Sequence, residues 1–199
     1  MARGRLWLLL GALLVLGACG TGPGAPTTGG ARPSTMAVPE VSVTHATGAC
    51  HEDQGNADRS CTPGVANPDV NQGNIAQTIC KSGWTATVRP PASYTNRLKV
   101  QQIAEYGYTD TNPADYEEDH LMPLELGGNP SDPHNLWPQK RQAPMGASNK
   151  DELENFLHRS VCAGEQPLSQ AQHDISTDWV AAYCKARLPK CPDGVHPKQ

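Results

Sequence analysis

Phe156 is the only phenylalanine of the chain and aromatic residues make up 5 % of it. So little bulky apolar material builds a small core, and something besides burial must help hold the fold. Basic residues are not in excess either: the formal charge is −4, and between Lys81 and Lys190 eleven basic residues stand against fourteen acidic ones. This counts against a strong nucleic-acid binder, because such surfaces carry basic stripes that displace counterions from phosphates. No two cysteines lie two to four residues apart, which counts against a structural zinc ribbon. No internal repeat is visible. The longest apolar run, Leu6 to Leu16, is too short for a comfortable membrane span.

What is present starts with that run. Arg3 and Arg5 precede it and Leu16-Gly17-Ala18-Cys19 follows, the pattern of a secretory signal over residues 1–18. Cysteine directly after small residues resembles the bacterial lipobox, and the resemblance implies cleavage before Cys19, lipidation of Cys19 and anchoring to the outer face of the cell membrane by acyl chains. Residues 19–45, rich in Gly, Pro, Thr and Ala with Arg32 as an early charge, read as a flexible linker, although Met36 to Val43 could form a short strand. Residues 46–199 are then one exported domain. Its six cysteines, Cys50, Cys61, Cys80, Cys162, Cys184 and Cys191, suit three disulfides in an oxidising compartment. Six cysteines allow fifteen pairings. Closing the two short loops, Cys50 with Cys61 and Cys184 with Cys191, leaves Cys80 to reach Cys162.

Within the domain, Asp53, Asn56 and Asp58 fall in a polar stretch between Cys50 and Cys61 that lacks the acidic spacing and closing Glu of a calcium loop, so a solvated disulfide loop is expected. Trp84 to Val88 reads as a strand. Thr95 can cap a helix running to about Tyr106 and closed by Gly107, with Arg97 and Lys99 on a face that is either solvated or turned to phosphates. Leu168 to Arg187 reads as a long helix capped by Ser169, with Ile175, Trp179, Ala182 and Tyr183 along one side.

The most informative stretch is YEEDHLMPLELGGNPSDPHNLW, Tyr116 to Trp137: a strand, a glycine-bearing loop and a second strand. Ala147-Ser148-Asn149-Lys150-Asp151 then opens a helix with Leu153, Phe156, Leu157, Ser160 and Val161 spaced for burial. Hydrolysing a phosphodiester needs a base for the water, a cation for the charge developing on phosphorus and the leaving oxygen, and groups that aim both. A neutral histidine suits the first task and oxygen ligands around Mg²⁺ suit the second. Asp119-His120 puts both residue types side by side, although neighbours on a strand point to opposite faces unless the strand end bends.

DHLMPLELGG, HNLWP and ASNKDELE together resemble the ββα-metal, or HNH, endonuclease motif, strictly over residues 117–157. More loosely, VRPPASYTNRLK, YEEDH, LHRSVCAG and TDWVAAY look like a group of exported bacterial HNH-like proteins over about residues 62–184. The resemblance implies an α+β domain, disulfide-stapled, with a ββα-metal core and flanking helices. It implies His120 as general base, Asp119 as metal ligand, Asn135 as the residue fixing the ring and loop, and Asn149 in place of the second ligand. Mg²⁺ is the expected metal, with Mn²⁺ able to replace it, and DNA or RNA outside the cytoplasm is the expected substrate of a monomeric enzyme. Simpler roles stand beside these. Asn135 could form a turn and Asn149 could cap the helix. His158, one turn after Glu154, could join the ligands or make an exposed ion pair with it. His134, Glu118 and Glu125 read as surface residues. A non-catalytic surface lipoprotein that uses the scaffold to bind an envelope component or a partner protein is the alternative from another class.

Overall fold

The computed structural model describes residues 45–189 and 191. The expectations for the signal segment, Cys19, the linker and the strand over Met36 to Val43 lie outside the described residues. No helix among the described residues is long and apolar enough to cross a membrane.

The architecture is a small mixed helix and strand domain closed by three disulfides. Four helices, α1 (Trp84–Val88), α2 (Ala92–Glu105), α3 (Ala147–Cys162) and α4 (Leu168–Lys185), surround one antiparallel ribbon of β1 (Tyr116–His120) and β2 (Leu136–Lys140). The ribbon pairs Tyr116 with Lys140 and His120 with Leu136.

The loop between the strands depends on its two glycines. Gly127 ends a 3₁₀ turn at φ 75°, a left-handed conformation that side chains disfavour. At Gly128 a Cβ would lie 1.8 Å from the Met122 carbonyl oxygen, so no other residue fits there. Asn135 completes the loop. Its side-chain oxygen accepts from the N–H groups of Met122 (3.0 Å) and Val65 (3.2 Å), and its amide nitrogen donates to the carbonyls of Met122 and Asn129, both at 2.9 Å. Asn135 is completely buried, so these bonds are what makes its burial tolerable. The turn-forming role foreseen for it is therefore present on a larger scale: it ties the start of β2 to the end of β1.

The pairings Cys50–Cys61, Cys80–Cys162 and Cys184–Cys191 are those of the short-loop reading. Cys80–Cys162 spans 82 residues, and in the chain-entropy account a loop of that length stabilises by about 4–5 kcal/mol. It clamps the segment before the ribbon to the end of α3. Helices α3 and α4 pack together and bury Leu153, Leu157, Val161, Ile175, Trp179 and Tyr183 in the main core.

Three expectations are corrected. Trp84 to Val88 is helical, not a strand: the ribbon edges offer it no partner, Gly83 (φ 79°) starts the turn, and Pro90-Pro91 end it within five residues. Helix α2 begins at Ala92 after Pro91, ahead of Thr95, because Pro supplies the extended entry and needs no donor. Helix α4 starts after Pro167 instead of Ser169, stops at Lys185 before Arg187 (φ 56°), and is kinked at Asp178 (φ −159°, ψ 86°). The Asp178 side chain accepts from Ala181 N–H and Asn56 Nδ2 there. Ala182 is half-buried, whereas Ile175, Trp179 and Tyr183 are buried as their spacing required.

Candidate functional site

His120 ends β1 and is 7 % exposed. Its Nε2 lies 2.9 Å from the Pro130 carbonyl oxygen. A carbonyl only accepts, so Nε2 carries the proton and Nδ1 holds a lone pair. Nδ1 has no hydrogen-bond partner among the described residues. Burial lowers the pKa of the ring from its usual 6.5, the Pro130 bond and Asp119 oppose that, and the charges of Lys150 and Arg89 add to it. The result is a neutral imidazole with one basic nitrogen available.

Asp119 is gripped by a residue that the sequence pattern did not bring out. Lys150, in the first turn of α3, is fully buried. Its ammonium donates to the His120 carbonyl oxygen at 2.7 Å, lies 2.7 Å from Asp119 Oδ2 and also pairs with Glu154. Burial alone would strip the lysine of its proton, but Asp119 and Glu154 outweigh burial and raise its pKa. The first turn of α3 is thereby fastened to the end of β1. An i,i+4 Lys-Glu spacing was the available signal, and on most helices it marks a solvated pair.

Asn149 is buried beside Lys150, and its side-chain oxygen accepts from Gly146 N–H at 3.3 Å, the capping role that stood beside the ligand reading. His158 does not pair with Glu154. Its Nε2 lies 2.9 Å from the Ile79 carbonyl and its Nδ1 3.8 Å from Glu125 Oε2, because Glu154 is turned inward to Lys150. Glu125 is no surface residue: its Oε1 is buried without a partner and burial raises its pKa. His134 does sit at the surface, 3.1 Å from Asp132. Arg97 is exposed, whereas Lys99 donates to the Tyr116 carbonyl at 3.2 Å. In the Cys50–Cys61 loop, Asp58 accepts from His51 N–H, Ser60 N–H and the Ser60 hydroxyl, which fits the solvated-loop reading.

Glu118 is the second correction among the acidic residues read as exposed. Both of its oxygens are buried without a hydrogen-bond partner, and burial raises its pKa well above the usual 4.5, with Lys99 opposing. A carboxyl whose folded pKa is raised contributes fully at low pH and loses that contribution as pH rises through the folded value. Glu118→Gln is therefore expected to match the wild type in stability near pH 4 and to exceed it by about 1–3 kcal/mol in mildly alkaline buffer. Urea unfolding at a series of pH values checks this, and a constant difference would contradict it.

Among the described residues two groups could place ligand atoms together for a metal, His45 with Cys50 and Cys61, and His158 with Cys80 and Cys162. In both the sulfurs are joined as disulfides and offer no thiolate. Asp119 offers hard oxygen instead. Its Oδ2 is held by Lys150, while Oδ1 carries no hydrogen bond or ion pair among the described residues. Hard oxygens of this kind suit Mg²⁺ or Mn²⁺. Compared with known proteins, the chain matches no family model, no curated protein and no solved structure. The likeness to HNH nucleases thus rests on the residues themselves.

Proposed function

We propose that this chain is a divalent-metal-dependent endonuclease of the ββα-metal type, hydrolysing phosphodiester bonds of DNA or RNA outside the cytoplasm. The observation that carries the reading is the His120 ring. It is buried, neutral, fixed through Nε2 to Pro130 and left with Nδ1 unbonded among the described residues, and the residue before it in β1 is Asp119, whose Oδ2 pairs with Lys150. The three disulfides are compatible with an oxidising, extracytoplasmic location. Anchoring through a lipid on Cys19 and action as a monomer belong to the same proposal.

In the proposed reaction His120 Nδ1 takes a proton from a water molecule, whose oxygen then attacks phosphorus while the opposite P–O bond breaks. Asn135 keeps the loop carrying Pro130 in place, so the ring cannot turn its basic nitrogen away. Lys150 holds the His120 carbonyl and the Asp119 carboxylate in register. Asp119 Oδ1, with Asn149 as the second oxygen ligand implied by the resemblance, would hold a Mg²⁺ or Mn²⁺ ion that stabilises the phosphorane and the departing oxygen.

Removing the metal with EDTA is expected to lower cleavage about a hundredfold or more, the scale of several kcal/mol of charge stabilisation. Because the His120 pKa is lowered from 6.5, its basic form predominates throughout neutral pH. The rate at saturating Mg²⁺ is expected to be level through neutral pH, with an acid limb that falls about tenfold per unit and sets in only below the ordinary imidazole range. Cleavage that persists in EDTA would contradict the reading. One observation favours a binding role without catalysis: Asp119 already has a cationic partner in Lys150. Turnover distinguishes the two, since a binder has none.

A further inference from the structure

A nuclease needs a cation to receive the substrate phosphate, and this domain is acidic. The cations around the ribbon are mostly committed. Lys150 is enclosed by Asp119 and Glu154, Arg141 pairs with Glu117 at 2.6 Å, Lys140 pairs with Glu52 at 2.8 Å, and Lys99 is bonded to the Tyr116 carbonyl. Arg89 is exposed and makes no ion pair among the described residues.

Its place in the fold is set by two packed elements. Helix α1 rests on the Leu124–Leu126 turn, a few residues after His120, and α2 rests on β1. Arg89 is the residue between them: its backbone N–H closes α1 on the Thr85 carbonyl and Pro90-Pro91 follow at once, so the chain around it is stiff. On the α2 side, Tyr94 reaches the Ser131 carbonyl at 2.6 Å, next to the Pro130 that holds the His120 ring. The elements bracketing Arg89 are thus the ones that frame His120.

Resting on the nuclease reading, we propose that the Arg89 guanidinium binds the phosphate of the nucleic-acid substrate beside His120, and so positions the substrate without taking part in proton transfer. A guanidinium can grip two phosphate oxygens at once, which a lysine ammonium cannot. In a domain of acidic net charge this places one uncommitted cation where the phosphate would lie.

The test uses the oxidised full-length protein in EDTA, where cleavage does not compete, and fluorescence anisotropy with a labelled 16-nucleotide DNA as single strand and as duplex. Arg89→Ala is expected to weaken binding about tenfold and to flatten the salt dependence by about 0.7–0.9 in log–log slope, one phosphate contact. Arg89→Lys is expected to fall between it and the wild type. Lys185→Ala, which removes the same charge from α4, is expected to bind within about twofold of the wild type, the scale of a remote surface charge. Wild-type binding that Arg89→Ala leaves unchanged would overturn this role and leave the nuclease reading standing. Absence of binding to either probe by the wild type at low salt would also overturn this role, while the nuclease reading is decided separately by plasmid nicking in Mg²⁺ or Mn²⁺.

Discussion

Lys150→Met is expected to destabilise the domain by about 3–5 kcal/mol, the scale seen when one partner of a buried ion pair is removed. Methionine fills much the same space, so the loss comes from charge and not from a cavity. Asp119, only 14 % exposed at the side chain, would be left without its cation, Glu154, whose pKa burial already raises to about 8, would be held in its neutral form, and the His120 carbonyl would lose its donor. Domains of this size are held by about 5–15 kcal/mol in total, so the effect should be plain in urea unfolding of the disulfide-intact protein. Adding Asp119→Asn should recover part of the loss, because the stranded charge disappears, and a double-mutant cycle measures that recovery. A loss below about 1 kcal/mol, the range of an exposed pair, would show that Lys150 is not the fastening described here.

The ribbon and its helix were legible because their signals are local. Alternating and helical spacing, a Gly-Gly turn and an Asn-Leu start to β2 each act over a few residues. The disulfide pairing followed from short loops, with the long bridge left by elimination. What escaped was decided by tertiary contact. Trp84 to Val88 has strand-like composition, yet it pairs with neither strand of the ribbon and two prolines cut it short. Glu118 and Glu125 look like ordinary surface acids, and only the packing of α2 and α3 against the motif buries them. Lys150 drew no reading of its own beyond its place at the start of the helix, because the sequence cannot say that the first turn of α3 leans over the end of β1.

The site shows the same division. His120 and Asp119 could be named from residue type and spacing, whereas the ring's tautomer depends on Pro130, ten residues away, and Asp119's partner comes from α3. Asn135 was chosen for its place in a motif. Its role in the fold is larger than that place suggested, since it holds the loop that holds the ring.

The largest effect expected on activity is that of His120→Ala. Removing a general base costs about 10²–10⁴ in rate, and the His120 ring, fixed through Nε2 with Nδ1 unbonded, is the base of the proposed reaction. Arg89, Lys150 and Asn135 would all remain, so substrate binding should survive while turnover does not. The most direct measurement is nicking of supercoiled plasmid by the oxidised protein in Mg²⁺ or Mn²⁺, with His120→Ala and an EDTA control run beside it. The account predicts nicking by the wild type that is lost in both controls. A folded, disulfide-intact wild type that leaves plasmid, single-stranded DNA and RNA whole, or a His120→Ala variant that nicks as well as the wild type, would contradict it.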